Sequence, residues 1–243
     1  MAYQVLARKW RPQTFQQMVG QEHVTTTLAN ALTRGRVAHA YLFTGPRGCG
    51  KTTMARLMAK ALNCDQGPTP TPCGECPSCV GIASGTQLDV LEIDAASNTG
   101  VDNIRELREN AQYQPSAGKK RVFIIDEVHM LSKGAFNALL KTLEEPPAHV
   151  HFVFATTEPV KIPRTILSRC QRFDFRLFTL KELSERLRTI TDSEGVDIAD
   201  DAIEMLASLA EGSMRDALSL LDQAIASTEG QLDAAGVLSL YGL

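Results

Sequence analysis

The chain has 243 residues, of which 44% are hydrophobic and 22% charged, and these proportions are typical of globular proteins and argue against a disordered protein or a coiled coil. No run approaches the ~18 apolar residues of a membrane span, and no apolar stretch follows the first basic residues as in a secretory signal, so we expect a cytoplasmic protein without membrane contact. The net charge of −3 hides a gradient, because residues 1–60 hold nine bases against one acid and residues 181–243 hold four bases against thirteen acids. A basic first quarter suits phosphate or nucleic acid, although an ordinary solvated surface explains it as well.

Apolar periodicity predicts alternating helices and strands over most of the chain. In chain order it predicts a helix over 21–33, a strand over 40–43, a helix over 53–62, a strand over 89–93, a helix over 101–112, a strand over 121–125, a helix over 133–143 and a strand over 151–155. A segment rich in proline and cysteine, residues 64–79, is predicted to form neither helix nor strand. This alternation predicts a parallel sheet covered by helices on both faces.

Beyond Phe178 the strand patterns cease. Only helical patterns follow, over 180–191, 199–210 and 215–226, with a partial one from 232. We therefore predict two domains, an α/β domain over residues 1–178 that carries the inserted segment 64–79, and a small all-α domain over residues 179–243.

The strongest local motif lies between the first predicted strand and the helix that follows it. The motif G-x-x-x-x-G-K-[ST] matches residues 45–52 without a mismatch. Glycines allow backbone N–H groups to turn toward phosphates at a helix N-terminus, where Lys51 can reach the β- and γ-phosphates and the Thr52 hydroxyl can bind Mg²⁺. A chance match in a glycine-rich turn is the alternative, and the strand-then-helix context favours the nucleotide. The residues predicted to hold ATP or ADP here are Gly45, Pro46, Arg47, Gly48, Cys49, Gly50, Lys51, Thr52 and Thr53.

A second acidic motif ends the predicted strand over 121–125. Four apolar residues precede Asp126 and Glu127, so both carboxylates are expected at the carboxyl end of the sheet, where α/β proteins bind ligands. Asp126 can hold Mg²⁺, and Glu127 can orient or deprotonate the attacking water. In isolation this pattern is usually a strand that ends in solvated acids. Together with the motif at 45–52 it predicts hydrolysis of a nucleoside triphosphate.

Four cysteines form the next candidate site. Cys64, Cys73, Cys76 and Cys79 follow the spacing C-x₈-C-x₂-C-x₂-C. Four thiolates at short spacing in a reducing compartment predict one tetrahedral structural Zn²⁺. Two disulfides, free thiols or an iron–sulfur cluster are the alternatives, and Cys49 and Cys170 are assigned no metal.

Taken together, these motifs resemble the AAA+ clamp-loader ATPases. The matching segments are residues 6–12, Phe15, 19–22, 45–52, the cysteine segment after the 53–62 helix, 93–97, 126–127, 162–170 and 212–217. The resemblance runs over essentially the whole chain. The inserted zinc segment is its most specific part, because generic AAA+ modules lack it.

The resemblance implies further residues in the nucleotide site. The adenine pocket would be lined at the positions of Ala7, Arg11, Pro12 and Val19. Thr157 stands at the position called sensor 1, which is usually Asn, and the adjacent Thr156 is a rival for the role. Arg215 matches sensor 2 of the helical lid domain, and the alternative for this arginine is an ordinary salt bridge of the lid helix.

One implied role extends to a second subunit. Arg169, in the Ser-Arg-Cys motif, matches the arginine finger that reaches into a neighbouring subunit's site. A guanidinium supplied in this way can raise the rate of phosphoryl transfer by ~10³–10⁵. Without the resemblance, a surface or intradomain ion pair would be the preferred explanation of Arg169.

The function implied by the resemblance is ATP-driven loading of a sliding clamp onto primed DNA. Its partners would be other clamp-loader subunits in a hetero-oligomeric ring, the clamp, and primer–template DNA held by its backbone. Another AAA+ motor, such as a replication initiator or a branch-migration helicase, is one alternative. An inactive scaffold subunit is another, but it would be expected to have an eroded version of the motif at 45–52.

Overall fold

The computed structural model describes residues 3–227 and 232–242. Contacts group the chain into two compact units. The sheet unit comprises Gln13–Gly45 and Lys51–Phe175, and the helical unit comprises Met1–Pro12, Pro46–Gly50 and Arg176–Leu243. The predicted boundary at residue 178 stays a prediction.

Helices and strands alternate through the sheet unit, and helices follow in the helical unit. The strands are β1 (Ala40–Thr44), β2 (Val90–Asp94), β3 (Arg121–Asp126), β4 (Val150–Thr156) and β5 (Gln171–Asp174). The α-helices are α1 (Leu6–Lys9), α2 (Glu22–Thr33), α3 (Lys51–Asn63), α4 (Pro77–Ser84), α5 (Val101–Asn110), α6 (Lys133–Glu144), α7 (Arg164–Leu167), α8 (Leu180–Glu194), α9 (Asp200–Leu209), α10 (Met214–Ser227) and α11 (Ala234–Tyr241). Short 3₁₀ helices span Phe15–Gln17, Val128–Met130 and Pro159–Lys161.

Within the described residues the strands form one sheet in the order β2-β3-β4-β1-β5, and every neighbouring pair is parallel. All residues of β1 and β4 are buried, as expected for central strands that are covered on both faces. Phe152 stacks between Phe123 and Phe154, with ring centroids 5.4 and 5.7 Å apart. The parallel sheet confirms the predicted α/β architecture.

In the helical unit, α8 begins with a capping box. The Thr179 hydroxyl accepts a hydrogen bond from the Glu182 N–H, and the Glu182 carboxylate accepts one from the Thr179 N–H. Hydrogen bonds from Arg176, together with those from Thr179, lower the pKa of Glu182 to about 2. Elsewhere in this unit the Trp10 indole N–H donates to Glu194 at 2.7 Å, which ties the segment after α1 to α8.

Two elements differ from the prediction. The prolines were expected to keep residues 64–79 free of helix. This expectation is wrong at the end of the segment, because α4 begins at Pro77. Proline suits this position because its missing N–H would have no partner in the helix anyway. Strand β5 was not predicted, because it is a short edge strand in which only Phe173 is buried.

No helix in the described ranges 3–227 and 232–242 combines the length and hydrophobicity that a membrane span requires.

Candidate nucleotide site and cysteine cluster

The residues of the predicted phosphate and acid motifs that belong to the sheet unit lie at one edge of the sheet. Gly45 directly follows β1, Asp126 ends β3, and Thr156 ends β4, and the carboxyl ends of these neighbouring parallel strands lie together. Open α/β sheets bind ligands at this edge. The fold therefore brings together groups that are 30 or more residues apart in the sequence.

Glycine is required at the first position of the predicted phosphate-binding motif, residues 45–52. Gly45 has a φ of +145°, and a Cβ atom there would lie 2.4 Å from the carbonyl oxygen of Phe175. In the helical unit, a Cβ atom on Gly48 would lie 1.9 Å from the Ser213 hydroxyl, and Gly48 has a φ of +76°. Both positions need backbone conformations and a close approach that only glycine tolerates.

Lys51 and Thr52 form the first turn of α3. The Lys51 ammonium donates to the Gly45 carbonyl at 2.8 Å, and the lysine is only 6% exposed. The Thr52 hydroxyl donates to Asp126 Oδ2 at 2.7 Å, and the Glu127 N–H donates to Asp126 Oδ1 at 2.9 Å. A hydroxyl and a carboxylate in contact offer the oxygen ligands that Mg²⁺ prefers, so this pair fits the predicted metal.

Glu127 has an unusual backbone conformation for a residue with a side chain. Its φ of 46° and ψ of 45° place it in the left-handed region, which costs a non-glycine residue roughly 1–2 kcal/mol. Its Oε2 atom accepts hydrogen bonds from the N–H of Thr157 at 3.1 Å and from the hydroxyl of Thr157 at 2.9 Å. Such strain is typical of functional sites, and here it directs the side chain across the sheet edge to the end of β4.

The two candidate sensor residues make different contacts. Thr157 binds the Glu127 carboxylate directly. Thr156 is fully buried, its hydroxyl lies 2.9 Å from His129 Nδ1, and it accepts the N–H of Glu158 at 3.0 Å. This geometry favours Thr157 over Thr156 as the residue next to the Glu127 carboxylate, which is predicted to orient the attacking water, and the sensor role itself stays a prediction. Sequence reasoning missed His129, whose signal was its position three residues after Asp126.

Arg169 is held within its own unit. Its guanidinium donates to the Glu144 carboxylate and to the Thr165 carbonyl, each at 2.6 Å. The intradomain ion pair considered from the sequence is therefore present. Its predicted action in a neighbouring subunit stays a prediction.

The remaining residues that are predicted to bind the nucleotide are divided between the two units. Arg215 lies exposed in the first turn of α10, Ala7 lies on α1, and Arg11 and Pro12 follow α1 in the helical unit. Val19 belongs to the sheet unit. Thr53 lies in the first turn of α3, next to Thr52. Their contacts with adenine or phosphate stay predictions.

The four cysteines of the inserted segment come together in the sheet unit. Their sulfur atoms all lie within 4.8 Å of one another, and the sulfurs of Cys64 and Cys73 are 3.6 Å apart. Tetrahedral zinc with Zn–S bonds of ~2.3 Å requires sulfurs about 3.8 Å apart, so the cluster fits the metal. Backbone N–H groups of Cys73, Cys76 and Cys79 point at sulfurs of the cluster at 3.4 Å each. Cys64 and Cys79 are fully buried, which suits a closed structural site.

Two buried polar side chains bind the loop before β3, and one of them, Asn63, directly precedes Cys64 of the cluster. Asn63 Oδ1 accepts the N–H groups of Lys119 and Lys120 at 2.9 and 2.8 Å. The Asp89 carboxylate accepts three further backbone N–H groups and one guanidinium N–H at 2.7–3.1 Å, from Ser116, Ala117, Gly118 and Arg121. Burial raises the pKa of Asp89, but these hydrogen bonds outweigh burial and hold it below the usual value for aspartate. The loop before β3 is thus fixed by buried acceptors.

Family profiles match both parts of the chain. A family described as DNA polymerase III, delta subunit, matches residues 20–179. A family described as DNA polymerase III clamp loader subunit, ATPase lid domain, matches residues 182–230.

Curated relatives match the chain from end to end. The DNA polymerase III subunit tau of Escherichia coli strain K12 is 56% identical over 242 residues, covering 100% of this chain and 38% of that protein. The subunit tau of Bacillus subtilis strain 168 is 55% identical over 242 residues, covering 100% of this chain and 43% of that protein. The subunit gamma of Buchnera aphidicola from Acyrthosiphon pisum is 48% identical, and the chain covers 67% of it. The chain thus spans about two fifths of the length of the tau relatives.

Solved structures share the fold. The RuvB Holliday junction branch migration motor of Thermotoga maritima superposes with a TM-score of 0.70 at 23% identity, covering 96% of this chain and 72% of that chain. At this identity the likeness concerns the fold alone, and it confirms the predicted AAA+ fold class.

Proposed function

The chain belongs to the family of DNA polymerase III clamp-loader subunits, and from this premise we propose that it is an ATP-hydrolysing motor that loads a sliding clamp onto primed DNA during replication. The observation that carries the proposal is the grouping of Lys51, Thr52 and Asp126 with Glu127 at the carboxyl edge of the sheet. A scaffold subunit without turnover would not need to retain all four. The RuvB likeness adds no substrate, because it concerns the fold alone.

The proposed reaction is attack of water on the γ-phosphorus of ATP. Mg²⁺ held by Thr52 and Asp126 would neutralise charge on the β- and γ-phosphates. The Lys51 ammonium would exchange the Gly45 carbonyl for phosphate oxygens. Glu127 would orient the water and accept its proton as the bond between the γ-phosphorus and the bridging oxygen breaks and ADP leaves. Thr157 is proposed to hold the Glu127 carboxylate at the end of β4.

We propose one structural zinc per chain, bound by Cys64, Cys73, Cys76 and Cys79. The closed arrangement of four sulfurs supports a structural role, because a catalytic zinc keeps an open position for water or substrate. Metal analysis of protein purified without chelator should give one zinc per chain. A value near zero would contradict this part of the proposal.

The proposed partners follow from the family. The chain would assemble with other clamp-loader subunits in a ring, and Arg169 would leave Glu144 to reach the γ-phosphate bound by a neighbouring subunit. The ring would contact the sliding clamp and would hold primer–template DNA by its phosphate backbone. Because the relatives are bacterial replication proteins, we place this activity in the cytoplasm.

The decisive test is steady-state ATP hydrolysis by the full-length subunit assembled with its ring partners. The rate is measured for the complex alone, with clamp, with primed DNA, and with both. Large stimulation that requires both clamp and primed DNA is expected. A rate indifferent to both would leave a nucleotide-hydrolysing ring subunit with a different task.

A further inference from the structure

His129 lies between two carboxylates beside the proposed hydrolytic site. It belongs to the 3₁₀ helix that directly follows β3 and Glu127, and its side chain is only 7% exposed. Its Nδ1 atom is 3.3 Å from Glu127 Oε2, and its Nε2 atom is 3.3 Å from Glu158 Oε1. A buried ring in this position touches the proposed proton acceptor on one side and a half-exposed surface carboxylate on the other.

The ring is fixed by its surroundings. Its Nδ1 atom lies 2.9 Å from the hydroxyl of Thr156, which is fully buried and also accepts the N–H of Glu158. Glu158 is in turn paired with Lys161 at 2.8 Å. Thr156 at the end of β4 and Glu158 two residues beyond it both contact the imidazole. The ring can therefore act as a rigid support for a neighbouring side chain.

The contacts on Glu127 are unevenly distributed. The two hydrogen bonds from Thr157 and the contact with His129 all fall on Oε2. Among the described residues no hydrogen bond falls on Oε1, which leaves that oxygen able to accept a proton. A carboxylate anchored by one oxygen has a defined orientation for the other, and misplacement of a reacting group by ~1 Å can cost ~10²-fold in rate.

We propose that His129 is a positioning residue for ATP hydrolysis, which holds Oε2 of Glu127 while Glu158 orients the ring. The proposal depends on the proposed function, since Glu127 must be the group that accepts the proton. His129 would not contact the nucleotide, so its loss should lower kcat without weakening binding.

The sharpest test compares His129→Asn with His129→Leu in the full-length subunit assembled in its ring. The two replacement side chains have the same branched shape, but only Asn places an amide where Nδ1 stands. We expect His129→Leu to lower kcat by about 10- to 100-fold with unchanged KM and unchanged affinity for a fluorescent ATP analogue. His129→Asn should restore most of that loss, and Glu158→Ala should lower kcat by less than His129→Leu.

The outcomes separate positioning from packing. An equal loss of kcat in the Asn and Leu variants, or no loss of kcat in either, would overturn the proposal, because the ring would then contribute only to packing. His149→Leu is the matched control, since His149 stands at the opposite end of β4 with its Nε2 atom 3.1 Å from the Ala111 carbonyl, and it should leave kcat unchanged.

Glu127→Gln and Lys51→Ala are measured in the same preparation. If these two retain full turnover, the proposed function fails and the role of His129 fails with it. If both abolish turnover while His129→Leu does not, only the role of His129 is overturned.

Discussion

The two ends of α3 carry the two sites of the sheet unit, and they are built in different ways. The helix has 13 residues and spans about 20 Å. At its first turn, Lys51 donates a hydrogen bond to the Gly45 carbonyl, and the Thr52 hydroxyl donates one to the Asp126 carboxylate. At its last residue, Asn63 accepts two backbone N–H groups, and the adjacent Cys64 is fully buried in the sulfur cluster.

The two ends of α3 differ in whether a ligand from solution can replace the partners of their side chains. Under the proposed function, phosphate oxygens and a metal ion would replace the partners of Lys51 and Thr52, so those contacts would hold the site in shape until a nucleotide binds. No ligand from solution can replace the buried backbone donors on Asn63 and Asp89. We therefore expect changes at the last turn to lower stability and changes at the first turn to lower hydrolysis.

Removal of the proposed zinc is expected to have the largest effect. Structural zinc contributes an apparent ~10–16 kcal/mol of binding free energy in small zinc-finger peptides. In a unit with its own core, we expect Cys79→Ala to cost roughly 5 kcal/mol or more, a fall of about 10–20 °C in melting temperature. Calorimetry together with zinc content measures both. Cys170→Ala is the control, because Cys170 lies outside the cluster and should leave zinc content unchanged.

Glu127→Gln tests the other end of the comparison. The amide cannot accept the proton of the attacking water, so we expect kcat to fall by about 10²–10⁴-fold while nucleotide affinity is retained. The melting temperature should change little, since Gln keeps an oxygen for the hydrogen bonds from Thr157. Glu92→Gln, on the edge strand β2 opposite Arg56, should leave kcat unchanged. A hydrolysis rate equal to wild type in Glu127→Gln would move the proton acceptor elsewhere.

Asp89→Asn should change stability without changing nucleotide affinity. It replaces a buried carboxylate that faces three backbone N–H groups and Arg121, so we expect a loss of about 3 kcal/mol in the free energy of unfolding. Urea unfolding at pH 7 measures it. A loss below about 0.5 kcal/mol would mean that this network does not hold the loop before β3.

The same variant carries a pH signature. Because the pKa of Asp89 is lower in the folded chain than in the unfolded chain, its contribution is fully present above the ordinary aspartate value near ~3.9 and is lost as pH falls through the folded value. The difference between wild type and Asp89→Asn should therefore be constant near neutral pH and shrink below about pH 4.

The sequence predicted where the residues of the first turn of α3 lie and that the four cysteines come together, because each group is close in the sequence, whereas the chemistry of the first turn stays a prediction. The motif at 45–52 and the four cysteines appear where spacing places them, and Asp126 lies at the end of its strand. Asp89 and β5 were missed, because the role of Asp89 depends on partners 27 or more residues away and β5 depends on its position in the sheet. His129 was missed although Glu127 is only two residues away, because Thr156 and Glu158, which also contact its ring, lie 27 or more residues further along the chain. Short-range sequence patterns reveal the residues predicted to bind a nucleotide or a metal. The residues that support those side chains are found only from the tertiary structure.

Arg169 is a test of the distinction between residues that stabilise the fold and residues that act in hydrolysis. Its contacts are those of a stabilising residue, but its proposed role is in the reaction. The guanidinium side chain is 31% exposed and the Glu144 side chain 51% exposed, so the pair should contribute only about 0–1 kcal/mol to stability. Arg169→Ala and Glu144→Ala should therefore have equally small effects on melting temperature. In the assembled ring, Arg169→Ala should abolish ATP hydrolysis and spare nucleotide binding, whereas Glu144→Ala should leave hydrolysis unchanged. Equal turnover in the two variants would instead place Arg169 with the residues that only hold the fold, because the ion pair would then be its whole function.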